Sequence, residues 1–223
     1  MCGRYTVAKD QEALGRHFRA DFSETHLPIY NASPGQQLPV ILDAEPRKVR
    51  PALWGIPARS PGRQHRMLIN ARAETASRLP TFRHALRRRR CAVIADGFYE
   101  WQATGLGKRP YRIVLEAAEP FAFTGIWQVC RGEPAYVILT TVANALMRPI
   151  HDRMPVILGR QELGAWLDRD RPGDDLLQAL RPYPESAMQA YRVSTTVNNS
   201  KNEGRELIDP WVPGPGATGL LFD

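Results

Sequence analysis

Strand signals are densest in the middle of the chain, where mostly apolar runs at residues 91–96, 99–102, 111–116, 121–127 and 135–140 read as consecutive strands. The breaks at 104–109 and 131–134 carry glycine or proline, as hairpin connections do. Helical spacing appears elsewhere. Residues 8–19 read as a short helix, and Pro80 opens a basic one over 81–89 with Phe82, Ala85 and Leu86 on one face. Residues 143–147 read as a helical turn, and 161–168 and 174–180 as two further helices. Shorter strands are expected at 37–43, 154–158 and 191–195. Runs of strands with helices at the margins indicate an α+β fold. Its centre is expected to be a curved, largely antiparallel β-sheet forming a barrel-like core, with peripheral helices. No repeat or linker divides the chain, so one domain over 1–211 is expected, with an irregular tail over 212–223 rich in proline and glycine.

Composition narrows the class. At 223 residues the chain is long enough to bury a substantial core. It has no signal-like apolar run near its start and no stretch of ~20 apolar residues, so a cytoplasmic protein with no membrane association is expected. The cysteines, at 2, 91 and 130, form no CxxC pair, and a reducing compartment suits them. The five histidines show no ligand spacing with them, so no metal and no cofactor are expected. The formal charge is +7, carried by 26 Arg and 4 Lys. Guanidinium groups bind phosphate bidentately and stack on flat rings, which points to a polyanion, nucleic acid before membrane. A solvated surface shaped by base composition explains the same excess.

Four short segments look unlike generic core or surface. The first holds Cys2. Once Met1 is removed, Cys2 presents an α-amine titrating near ~7.7–8.0 beside a thiol near ~8.5, a pair no internal cysteine offers. Such a 1,2-aminothiol condenses with an aldehyde through an imine to a thiazolidine. Cysteine is also a common inert core residue. The second segment ends an apolar stretch at Asn70, whose amide can orient an amine or an oxyanion, or simply close a turn. The third places Glu100 between Tyr99 and Trp101, where desolvation would suit it to proton transfer; an exposed strand glutamate facing a cation is the alternative. The fourth brackets His151 between prolines, fixing its ring in a loop either for chemistry or for capping carbonyls.

Eight segments, in order, resemble the SRAP family (SOS response-associated peptidases, which include the abasic-site shield proteins). They are MCGRY at 1–5, YNASPGQ at 30–36, WGIPA at 54–58, INARAET at 69–75, CAVIADGFYEW at 91–101, FAFTGIW at 121–127, IHDRMPVIL at 150–158 and VSTTVNNSKNEGRELIDP at 193–210. The resemblance spans nearly the whole chain. It implies the SRAP fold, binding of single-stranded DNA, and a covalent thiazolidine link to the C1′ aldehyde of an abasic site, shielding the lesion during the DNA damage response. It places the nucleophile at Cys2 and gives Asn70 the task of positioning the cysteine and the adduct. Glu100 becomes the proton shuttle for sugar ring-opening, and His151 an assisting acid–base group. The same cluster is implied to remove Met1 autocatalytically.

The resemblance also suggests the DNA contacts. Arg4, Arg72 and Arg153 flank the reactive positions and suit phosphates. Trp101 is placed to stack on a base, with Asn31 and Lys201 lining the groove. The expected partner is single-stranded DNA with abasic sites, bound by a monomer that is nucleoid-associated while on DNA. Two other functions fit the residues: a cysteine peptidase acting in trans, and a non-catalytic single-strand binder with an inert Cys2. After WGIPA the chain departs from the family, carrying Arg59, Arg63 and Arg66 where many members have tryptophans. That exchange trades an aromatic wedge for charge, to which the run Arg87–Arg90 adds, or merely a solvated helix face.

Overall fold

The computed structural model describes residues 2–42, 46–58 and 67–212. Five strands close on themselves. Glu133–Val142 pairs with Phe121–Cys130, which pairs with Arg90–Ala95, then Gln37–Ile41, then Lys48–Trp54; Lys48–Trp54 returns to Glu133–Val142 through a parallel register, Ala135 opposite Leu53 and Tyr136 opposite Trp54. Against this barrel lies a five-stranded sheet in the order Met188–Arg192, Gly107–Leu115, Gly97–Thr104, Tyr5–Val7, Ile29–Ala32. The helices Gln11–Phe18, Pro80–Arg88, Glu162–Leu167 and Gly173–Ala179 sit at the margins. The α+β, mainly antiparallel, barrel-like architecture is the one the strand pattern predicts.

The central hairpins run further than the apolar pattern suggests. Gly97–Thr104 and Gly107–Leu115 stay paired to Thr104 opposite Gly107, and Phe121–Cys130 and Glu133–Val142 to Cys130 opposite Glu133. The second turn is two residues, Arg131 (φ 55°) and Gly132 (φ 90°), both left-handed, the form whose twist matches the flanking strands. Gly125 has a packing reason: a Cβ there would meet Cys91 Sγ at 2.7 Å and the Val137 carbonyl at 3.2 Å, so only glycine lets the barrel strands close at this level.

Three elements differ from expectation for identifiable causes. The first helix begins at Gln11 rather than residue 8, because Asp10 caps it by accepting from Ala13 N at 2.8 Å, while the N–H groups of Ala8 and Lys9 go to the Asp96 carboxylate. Residues 154–158 form two short strands. Arg153–Pro155 pairs with Glu133–Val142, and Ile157–Leu158 pairs with Phe121–Cys130. Val156 bridges both neighbours, donating to Leu139 O and accepting from Thr124 N, each at 2.9 Å. The last strand is Met188–Arg192 rather than 191–195, because Ser194 starts a 3-10 turn by accepting from Thr196 N at 3.2 Å. The proposed tail over 212–223 lies outside the described residues except for Val212, and so do Arg59, Arg63 and Arg66.

The core is aromatic where it supports the N-terminus. Tyr5 is fully buried, its ring 5.0 Å from Trp54 and edge-on to Phe123 at 5.7 Å, and its hydroxyl is 2.7 Å from that of Tyr136. Burial raises both phenols above their ordinary range, so each stays protonated and available for this bond. Tyr5 therefore plugs the first strand into the barrel, three residues from Cys2.

Candidate active site

The N-terminal strand Tyr5–Val7 lies between Gly97–Thr104 and Ile29–Ala32. Tyr99 N–H donates to Arg4 O at 3.0 Å and Asp96 N–H to Thr6 O at 2.9 Å. The Asp96 carboxylate locks the far end of the strand, accepting from Thr6 Oγ1 (2.5 Å), Ala8 N (2.5 Å), Lys9 N (2.7 Å) and Arg112 Nη2 (3.2 Å). Arg112 reaches Asp96 across Gly97, where a Cβ would stand 2.8 Å from the guanidinium. The start of the chain is thus clamped from both sides before any catalytic group is considered.

Cys2 is 0 % exposed, and its thiol points to Arg4 O at 3.8 Å. Burial, reinforced by the nearby Glu100 carboxylate, pushes the thiol well above its ordinary range, so it rests protonated. Asn70 opens the strand Asn70–Arg72, which runs parallel to Glu133–Val142 with Asn70 opposite Ile138. Its Nδ2 donates to Cys2 O at 2.7 Å, while its Oδ1 is buried with no partner among the described residues. An orphaned acceptor beside the Cys2 backbone suits an amine N–H. The Asn70 donor thus rests on the carbonyl of Cys2 itself.

Glu100 lies on the strand Gly97–Thr104 and is 3 % exposed. Its desolvation does not come from Tyr99 and Trp101, which a strand turns to the opposite face. It shares the face of Phe98, which packs in the barrel core, whereas Tyr99 and Trp101 join a second cluster with Val193, Val197 and Leu207. Burial raises the Glu100 carboxyl above the usual carboxylate range, and the charge of His151 acts in the opposite direction. His151 lies in the loop between Val142 and Arg153. Its backbone N–H donates to Met147 O at 2.9 Å, and its Nδ1 accepts from Arg153 N at 3.0 Å. Cys2, Asn70, Glu100 and His151 thus come from four distant parts of the chain into one cluster: a thiol, an amide, a desolvated carboxyl and an imidazole.

The expected DNA-contacting residues divide. Arg72 and Lys201 are exposed. Arg4 is half-buried, its Nη1 donating to Asn31 Oδ1 (2.7 Å) and Val197 O (3.0 Å), its guanidinium 5.8 Å from the Trp101 ring centre. Trp101 donates through Nε1 to Asn198 Oδ1 at 2.7 Å. Asn31, expected on the groove wall, is instead fully buried; its amide donates to Asn199 O (3.0 Å) and Asn202 O (2.8 Å), so it shapes the 195–202 loop. Arg153 is 11 % exposed and pairs bidentately with Glu74, both contacts at 2.8 Å, with a further bond to Thr140 O at 2.6 Å. A phosphate would reach this fork in place of Glu74. Asp96, Tyr5 and Glu74 also support the site; they fall inside the resembling segments, but their roles are not legible there because Thr6, Tyr136 and Arg153, which they bond, lie 79 to 131 residues away.

The fold and site define a closed barrel that buries an N-terminal cysteine, holds its carbonyl with an asparagine, and gathers a desolvated glutamate and a histidine around it. Over residues 1–200 the sequence matches the SOS response associated peptidase (SRAP) family, and the chain belongs to it. Relatives include the abasic site processing protein YoqW of Bacillus subtilis, 40% identical with 94% of this chain and 99% of that protein covered. YedK of Escherichia coli, named likewise, is 30% identical (94% and 100% covered), and HMCES of Xenopus tropicalis 29% (93% and 78%). Among solved structures, a Bacteroides thetaiotaomicron protein shares the fold with a TM-score of 0.81 at 22% identity, covering 95% of this chain and all of that one. A Bordetella bronchiseptica protein aligns at 0.74 and 28% identity, with 86% and 100% covered.

Proposed function

We propose that this chain processes abasic sites in single-stranded DNA, by forming a thiazolidine between Cys2 and the ring-opened deoxyribose after Met1 is removed. The observation that carries this reading is the grip of Asn70 on Cys2 O at 2.7 Å, with an unmet amide acceptor alongside and Glu100 and His151 nearby. The names of the relatives favour the same substrate. The α-amine adds to the C1′ aldehyde and water leaves, giving the imine. The protonated thiol then needs a base: its proton passes by way of Glu100 to the imine nitrogen as sulfur bonds C1′. Atoms balance with the loss of one water.

Glu100, whose carboxyl burial raises above the usual carboxylate range, also opens the sugar ring by moving a proton from the C1′ hydroxyl toward O4′. Arg4, Arg72, Arg153 and Lys201 hold phosphates, and Trp101 stacks on a neighbouring base. The protein acts as a cytoplasmic monomer that joins the nucleoid while on DNA, and the pocket itself removes Met1. Among the described residues no helix is long and apolar enough to cross a membrane. The test is to incubate purified protein with an oligonucleotide bearing one abasic site and resolve it on a denaturing gel. A stable adduct is expected with wild type and none with Cys2→Ala. An undiminished adduct in that variant, or Met1 retained in the crosslinking protein by intact mass, would sink the reading.

A further inference from the structure

His151 Nδ1 faces two partners that it cannot serve together. The Arg153 backbone N–H donates to it at 3.0 Å, and Asp152 Oδ1 lies 2.9 Å from the same atom. While Nδ1 accepts from Arg153, its lone pair is used, and a neutral ring must carry its proton on Nε2. If Nδ1 takes up a proton, the Arg153 bond breaks and Asp152 becomes the acceptor at hand. The two sides of the ring also differ in access. The Asp152 side chain is 88% exposed and that of His151 29%, whereas Glu100, on the strand Gly97–Thr104, is buried and within reach of the His151 charge. The Arg153 guanidinium is turned to Glu74, so it does not compete for Asp152.

We infer that Asp152 is a positioning residue that passes solvent protons through His151 into the pocket. A proton from water enters at Nδ1 and is held by Asp152 as the Arg153 N–H lets go. The Nε2 proton then passes inward to the hydroxyl that leaves C1′ as water. The ring is left neutral, protonated on Nδ1 and bare at Nε2. In that form Nε2 accepts the N–H proton that the iminium loses to become the imine, and the Nδ1 proton leaves past Asp152 to solvent. One proton enters and one leaves in each half of the cycle.

This inference rests on the reading that His151 moves protons during adduct formation, and two measurements test it. Side-chain NMR of the full chain labelled with nitrogen-15 histidine, assigned with His151→Gln, should show the neutral ring as the Nε2–H tautomer in wild type and in Asp152→Ala. Single-turnover crosslinking to an abasic oligonucleotide should be slowed in Asp152→Ala by roughly 10-fold or more, short of the ~10²–10⁴ contributed by a group that transfers the proton itself. Added formate should restore that rate saturably. Asp152→Asn, similar in size but uncharged, should be slow and less well rescued, because its amide fills the space. An Nδ1–H ring in wild type, an unslowed Asp152→Ala, or a slow one that formate does not restore would each overturn the relay alone. No adduct with wild type would overturn the relay and the functional reading together.

Discussion

Replacing Asn70 isolates the contact on which the proposed chemistry depends. In Asn70→Ala the 2.7 Å bond from Nδ2 to Cys2 O is removed, and the carbonyl of a fully buried residue is left without its donor. Leaving a buried acceptor unmet costs about 1–3 kcal/mol. If that loss falls on the reactive arrangement, at about 1.4 kcal/mol per decade the crosslinking rate drops roughly 5- to 150-fold. Asn70→Asp is a sharper probe, because it keeps the volume and sets an acceptor against the Cys2 carbonyl. It should be at least as slow as the alanine variant, although it is nearly isosteric. The assay is single-turnover adduct formation at saturating oligonucleotide, with binding measured separately. Both variants should bind the intact strand like wild type. Rates within twofold of wild type for both, in folded protein, would refute the assignment of Asn70 as the residue that holds Cys2.

Glu100→Gln should slow crosslinking yet stabilise the fold at neutral pH. A carboxyl raised by burial binds its proton more tightly in the folded state, so the native state carries more protons and stability falls as pH rises from the unfolded value through the raised one. The thermal gap between Glu100→Gln and wild type should therefore be widest above that window and close on acidification toward the ordinary carboxylate range; a less stable variant at neutral pH would contradict the sign. Arg90→Met should act on stability alone. Its buried guanidinium donates to Trp166 O (2.6 Å), Leu86 O (2.9 Å), Arg87 O (3.2 Å) and Arg171 O (3.2 Å), joining the ends of two helices. A loss on the order of 3 kcal/mol, or about 6–12 °C in Tm, is expected by calorimetry, with unchanged crosslinking per folded molecule. Replacing Arg59, Arg63 and Arg66 together by alanine should flatten the log–log salt dependence of single-strand binding by up to about 2, at ~0.7 for each phosphate that is no longer neutralised.

Most strands of the barrel were legible because 91–140 holds apolar runs rich in β-branched and aromatic residues, bounded by glycine and proline, and these runs are buried on both faces. The strands Lys48–Trp54 and Asn70–Arg72 were not, since they are tied to Glu133–Val142 by parallel pairing to partners far along the chain. Glu100 was found for an incomplete reason: its aromatic neighbours in sequence face the other way, and the desolvation comes from the Phe98 side of the strand. Asn31 and Arg153 had the chemistry of groove residues, but only the fold shows that Val197, Asn199 and Asn202 occupy the one and Glu74 the other. Side-chain type reveals capacity, and long-range packing decides what that capacity is used for.

The Arg4 to Val197 hydrogen bond spans 193 residues and joins one part of the chain to another synthesised much later. At ~5–20 residues per second, residue 2 leaves the ribosome about 10–40 seconds before that partner exists. Asn70, Glu100 and His151 arrive during the interval. If, as proposed, Cys2 is freed by its own site, its amine would be released only after the segment around Val197 has folded back onto Arg4. On that reading, nascent chains that have not completed the fold would keep a capped terminus and could not be spent on stray aldehydes.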